Sequence, residues 1–220
     1  MKKLLGATAF GALAIAGPAA AEFEIAIYGG YQTSPHSTFT GDVAGTPYDG
    51  TFAWDGKSFT LPPYYGVRGT YWRNDAWGFG LELTHAKAYA SEADLAEGDF
   101  DRFEFTDGHN IITLNLHRRW KGLWMDGRMT PYVMGGIGIA MPHVDIQPTY
   151  AGAPHTYGYQ VTGPAAKLGA GVSYAINDRF SVFGEYQFSY TDNEVSLDGG
   201  GTLSGPIITN ALNIGLSMAF

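Results

Sequence analysis

Asn210-Ala211-Leu212-Asn213-Ile214-Gly215-Leu216-Ser217-Met218-Ala219-Phe220 closes the chain. From Leu212 the even positions are large and apolar, while the odd ones are Asn, Gly, Ser and Ala. Such strict alternation describes a β-strand with one greasy face and one small or polar face, because successive side chains point to opposite sides. Working outward, seven further stretches read as strands, at 22–32, 63–73, 77–89, 108–120, 130–143, 156–174 and 179–190, with the last strand at 208–220. Eight is the even number that closes the smallest antiparallel barrel. Connections alternate between short ones (74–76, 121–129, 175–178) and long ones (33–62, 90–107, 144–155, 191–207). That asymmetry predicts an all-β, eight-stranded up-and-down transmembrane barrel, with short periplasmic turns, long extracellular loops and both termini periplasmic.

Composition agrees. The 220 residues include 31 Gly and no Cys, and are 45% hydrophobic, 15% aromatic and 15% charged. Aromatic content excludes disorder and the absent Cys excludes a disulfide scaffold. The one long apolar run is N-terminal, which excludes a helical membrane bundle. There, Lys2-Lys3, the apolar stretch 4–16 and Ala19-Ala20-Ala21 predict a signal peptide over 1–21, leaving the barrel as 22–220. Without those two lysines, 11 basic residues face 21 acidic ones, an unsuitable balance for a nucleic-acid partner. The terminal Phe220 resembles the assembly signal of bacterial outer-membrane barrels and implies the barrel-assembly machinery as a partner.

Parity divides the residues between two faces. Phe23, Ile25, Ile27, Phe79, Leu81, Leu83, Ile112, Leu114, Leu116, Phe180, Val182, Tyr186 and Phe188 are expected to face lipid. Glu24, Arg68, Glu82, Asn115, His117, Arg119, Lys167, Arg179, Glu185 and Gln187 then fill the lumen, paired into a polar plug because an unpaired buried charge costs several kcal/mol. A pore is not expected. Trp72, Trp77, Trp120 and Trp124 are expected as a girdle at the turns, and Tyr64, Tyr65, Tyr89 and Tyr190 as one at the outer rim, with Trp54 left in the first long loop.

Five of six histidines fall at the outer end: His36, His85, His109, His143 and His155. Imidazoles converging from separate strands, with Asp107 or Glu104 nearby, are a donor set for a transition metal. Simple alternation opposes this, because it places His85 and His143 on the lipid side. The other reading is a set of rim histidines hydrogen-bonded to loops or headgroups. Glu92, Asp94, Glu97, Asp99, Asp101, Glu104 and Asp107 crowd one outer loop with Arg102, as a solvated acidic face or a bridge through divalent ions to lipid phosphates.

Tyr28-Gly29-Gly30, Ser34-Pro35-His36-Ser37, Pro62-Pro63-Tyr64-Tyr65-Gly66, Thr84-His85-Ala86-Lys87, Thr106-Asp107-Gly108-His109-Asn110, Thr130-Pro131-Tyr132-Val133 and Pro142-His143-Val144 together resemble the lipid A oxidase-like outer-membrane proteins of alphaproteobacteria. The resemblance implies oxygen-dependent conversion of the proximal glucosamine of lipid A to 2-aminogluconate, with hydrogen peroxide released and lipopolysaccharide as partner. It implies a divalent transition metal, Fe or Cu ahead of Zn, held by some of His36, His85, His109 and His143. Catalytic roles then fall to His109, Lys87 and Asp107, with the base drawn from Lys87, Asp107 or a histidine. Two rivals stand beside it. One is a non-enzymatic structural or adhesive barrel, similar to outer-membrane protein A-type or opacity-type domains. The other is a lipid A deacylase, opposed by the crowding of Ser34, His36 and Ser37 on one loop.

Overall fold

The computed structural model describes residues 22–220, so the expected signal peptide lies outside the described residues. In chain order the elements are β1 (Glu22–Val43), β2 (Thr46–Asp55), β3 (Tyr65–Trp72), β4 (Trp77–Ala90), α1 (Glu92–Glu97), β5 (Phe100–Arg119), β6 (Met129–Ala140), β7 (His143–Pro148), β8 (Thr156–Tyr159), β9 (Gly163–Ala175), β10 (Phe180–Ser196) and β11 (Thr202–Ala219). Eight of them close a ring, β1–β3–β4–β5–β6–β9–β10–β11, and β11 returns antiparallel to β1. Closure leaves no unpaired ladder edge in the ring, as a strand crossing hydrocarbon requires. The expected eight-stranded barrel is the observed one.

At the end holding the short turns, side chains fix the reversals. Asn74 Oδ1 accepts the N–H groups of Ala76 and Trp77, at 2.9 and 2.8 Å. Asn177 Oδ1 does the same for Arg179 and Phe180, both at 2.9 Å. These Asx turns are the local reason the chain reverses there. Arg179 sits in that turn, exposed at the mouth of the lumen, where it lines one cavity with Glu24, His117 and Arg119.

The opposite end departs from expectation. The long loops are largely strand: β1, β5, β10 and β11 run on past the ring's girdle, and β2, β7 and β8 add to them. Their inward faces close over an apolar core of Phe39, Phe52, Trp54, Phe100, Phe103, Phe105, Val144, Ile146, Val195, Leu203 and Ile207. Ring pairs are edge-to-face, for example Phe52–Phe103 at 4.7 Å and Phe39–Phe103 at 5.1 Å. Each such side chain stabilises the fold by about 1.5–3 kcal/mol through burial. Trp54, expected on a free loop, belongs to this core.

Below that cap the interior is polar and the exterior apolar, as parity predicts. Phe23, Ile27, Phe79, Leu81, Leu114, Leu116, Leu212 and Ile214 are exposed on the outside. Arg68 and Lys167 meet Glu82 and Glu185 inside, two cations with two anions, all buried. Arg68 Nε–Glu82 Oε2 is 2.9 Å, Arg68 Nη2–Glu185 Oε1 is 2.8 Å and Lys167 Nζ–Glu82 Oε1 is 2.8 Å. Tyr28, Asn115 and Gln187 also donate to Glu82, and Tyr132 donates to Glu185. The strand glycines make room: a Cβ on Gly136 would collide with Asn115.

The expected girdles are partly corrected. Trp77, Trp120 and Trp124 are exposed near the turns, with Arg118 5.3 Å from the first two rings. Trp72 instead points inward, buried under the Arg119 guanidinium at 3.8 Å. At the other level Tyr65 and Tyr190 are exposed, joined by Tyr31, whereas Tyr64 is buried beside Tyr28. In both corrected cases the residue has the inward parity of its strand or loop, and parity outranks aromatic preference.

Candidate functional site

The wall is irregular where β1, β3 and β4 lose their pairing. Pairing of β1 with β3 stops at Gly29–Tyr65, and that of β3 with β4 at Tyr65–His85. Pairing with β2 resumes only at Ser34–Trp54 and Trp54–Ala90. The segment 56–64 fills the interval. Gln32 replaces the missing ladder: its Nε2 donates to Lys87 O at 2.5 Å and Gly56 O at 3.1 Å, and its Oε1 accepts the Lys87 N–H at 3.3 Å. A carboxamide carries the same donor and acceptor as a peptide unit, so it can stand in for one.

On the outer side of this place lie His85 and Lys87. The His85 ring stacks on Tyr65 with centroids 4.9 Å apart, and its Nδ1 lies 3.0 Å from Asn110 Oδ1. Its Nε2 is buried and has no hydrogen-bond partner. Gly108, at φ +105°, allows this position, since a Cβ there would strike the imidazole. Lys87 is buried beneath the 56–64 segment, and its Nζ donates to Thr60 O at 2.7 Å and Pro62 O at 2.9 Å. Lys57 Nζ stands 4.0 Å from the centre of the Tyr89 ring, and Lys87 Nζ 5.3 Å. Opposite Tyr89 on β5 is Glu104. Burial, then the neighbouring Asp145, raises its carboxyl above the ordinary carboxylate range, against the pull of Arg102, Lys57 and Lys87.

The histidines do not converge. His109, the next residue down the rim, faces the interior, buried with Nε2 3.2 Å from Thr191 Oγ1 and its ring 5.3 Å from Phe105. His143 lies edge-on to Tyr157 and Tyr159, at 4.4 and 4.8 Å. His36 is exposed at the bulge of β1, between Ser34 and Ser37. Among the described residues no three of His, Cys, Asp and Glu come together to hold a metal ion. The expected metal set His36, His85, His109 and His143 is thus not brought together among the described residues: His109 turns inward, while His85 and His143, both of outward parity, pack on separate tyrosines. Asp107 is exposed at φ +46° in the bulge before Gly108.

Two groupings escaped the sequence reading. Buried Asp145 accepts from Arg102 Nη1 at 2.9 Å and lies 2.6 Å from His155 Nε2. Gln32 is the other, and no local motif announces it. The acidic loop becomes α1, capped by Ser91, and the first part of β5; Asp94 Oδ2 accepts from Ala53 N at 2.6 Å, and that bond and Ser91 hold its carboxyl below the usual range.

A closed ring with an apolar outside and a charge-balanced inside matches what comparison finds. The model of the outer membrane protein beta-barrel domain matches residues 4–220. The chain belongs to that family. It is thus an outer-membrane barrel, and its apolar belt is the surface that meets the bilayer. Among solved structures it is similar to Neisserial surface protein A, at 13% identity over 90% of this chain and 97% of that one, TM-score 0.49. It is also similar to OprG from Pseudomonas aeruginosa, at 14% identity over 92% and 97%, TM-score 0.48. The outer membrane protease OmpT from Escherichia coli matches at 9% identity over 92% and 97%, TM-score 0.47. No curated protein matches the chain.

Proposed function

We propose that this outer-membrane barrel modifies lipid A, oxidising its proximal glucosamine to 2-aminogluconate with oxygen, in the orientation that keeps both termini periplasmic and the capped end extracellular. One observation supports the reading beyond the resemblance: His85 and Lys87 have the outward parity of β4 beside the exposed Tyr65 ring, both buried there, and the lipid headgroup is proposed to dock against this place. The unpartnered Nε2 of His85 is the proton acceptor for the anomeric hydroxyl. Lys87 is a positioning residue, since its ammonium is spent on Thr60 and Pro62 carbonyls. His109 faces the interior and supports the wall.

In the reaction the hemiacetal carbon loses its hydrogen and its hydroxyl proton, and oxygen takes up both with two electrons as hydrogen peroxide. The lactone then adds water and opens. The contribution proposed for these residues is binding and proton removal. Mass spectrometry of lipid A lacking its 1-phosphate, from aerated cells expressing the chain, tests this. A species heavier by one oxygen, lost in His85→Ala with the barrel still folded, is the expected result.

The second reading is a non-enzymatic barrel, favoured by the dispersed histidines and the charge-paired interior. Unchanged lipid A from cells holding the folded barrel selects it.

A further inference from the structure

The segment sealing the wall carries an apolar tip. Phe59 is 76% exposed and Leu61 83% exposed, in a turn otherwise tied down on both flanks. Ser58 Oγ accepts from Gln32 N at 2.9 Å, Tyr64 N donates to Ser58 O at 2.8 Å, and Lys87 holds the Thr60 and Pro62 carbonyls. A tethered turn does not present two large apolar side chains to water without cost. The Phe59 ring lies 6.4 Å from Tyr31, itself 57% exposed and of the same parity on β1 as Ile27 and Ile25. Phe59 therefore continues the lipid-facing belt instead of standing apart from it. Lys57, exposed at the start of the same turn, adds a cation beside this apolar tip, its Nζ over the Tyr89 ring.

We propose that residues 57–63 form a wedge seated in the outer-leaflet lipid, with Phe59 and Leu61 among the acyl chains and Lys57 against headgroup phosphate. The inference rests on the barrel's place in the membrane and on the orientation proposed above, and is independent of the oxidase reading. Aromatic and aliphatic side chains flanked by lysine are the usual makeup of a segment lying in a membrane interface. The occupant is lipid because the patch is continuous with a surface already covered by lipid, and because its charge is positive.

The chain has no cysteine, so a single introduced one takes a spin label uniquely. Labels at Phe59→Cys and Leu61→Cys, in the full barrel refolded into phosphatidylcholine–phosphatidylglycerol vesicles, are compared by power saturation against oxygen and a water-soluble nickel complex. Ile214→Cys, 73% exposed in the belt, sets the lipid reference, and Asp49→Cys, exposed on β2, sets the aqueous one. Gel-mobility shift on heating confirms that each variant is folded. Both wedge labels should show the oxygen-favoured accessibility of Ile214→Cys. Nickel accessibility equal to that of Asp49→Cys at both positions overturns the proposal. Dipolar broadening between labels would place a second copy of the chain there and also overturns it. Adding Lys57→Glu should move both labels toward water; unchanged depth would remove Lys57 from the headgroup contact.

Discussion

His109 is paired with Ala86, the neighbour of His85, yet the two imidazoles lie on opposite sides of the barrel wall. One touches Tyr65 outside and the other Thr191 and Phe105 inside. Each faces its own medium, so the two positions should answer differently to the same substitution.

His109→Ala removes an interior contact and should lower stability by about 1–2 kcal/mol, leaving any lipid modification intact. His85→Ala should lose the modification with little change in folding. The pair is separated by measuring urea refolding midpoints and lipid A mass spectra on the same preparations. Loss of modification in both variants would contradict the assignment of His85 alone.

Gly108→Ala should act on His85 without touching it. The residue sits at φ +105° and its Cβ would overlap the imidazole, so the strand must shift or the ring must leave Tyr65. A destabilisation of about 1–3 kcal/mol is expected from the backbone conformation. NMR of the His85 ring protons should show loss of the upfield shift that stacking on Tyr65 produces.

Arg68→Met leaves Glu185 and part of Glu82 without their cation, while Lys167 still reaches Glu82. Breaking a buried pair by removing one partner costs about 3–5 kcal/mol. The double variant Arg68→Met with Glu185→Gln should recover much of that loss, because the remaining anion keeps Lys167. Denaturant titration of the two variants measures both numbers; equal losses would show that the network is not charge-coupled.

Glu104 offers a pH test above the belt. Its carboxyl is raised by burial and Asp145, so the folded state binds that proton more tightly than the unfolded one. Its stabilisation is therefore present below the ordinary carboxylate range and lost as pH rises through the raised value. Glu104→Gln should remove this slope. Refolding midpoints for native and variant chains should converge in acid and separate, with the variant the more stable, as pH rises.

Much of this architecture can be read in the residues. Phe79, Leu81 and Leu83 alternate cleanly with Gly80 and Glu82, so β4 and its counterparts announce both the strand and its two faces. The capped end is harder. Phe52 with Trp54, or Val195 with Leu197, alternate over a few positions only, among Thr, Asp and Gly, and such short runs look like loop. Their partners are far apart in sequence, so only the folded chain shows that they share a core. The histidines failed differently. Nearness of strand ends was legible, but the side of the wall was set by parity, and His85 and His143 had already declared theirs.

The apolar cap has a consequence for how the barrel enters its membrane. Phe39 from β1 and Leu203 and Ile207 from β11 belong to one core with Phe103 and Phe105 from β5, so that core can form only once the two ends of the chain have met. In the orientation proposed above, those side chains cross the bilayer unpacked and pack afterwards on the far side. Drawing the strands back would require unmaking the core in water first. The cap is thus a stopper knotted after threading, and insertion becomes a one-way event without any covalent lock.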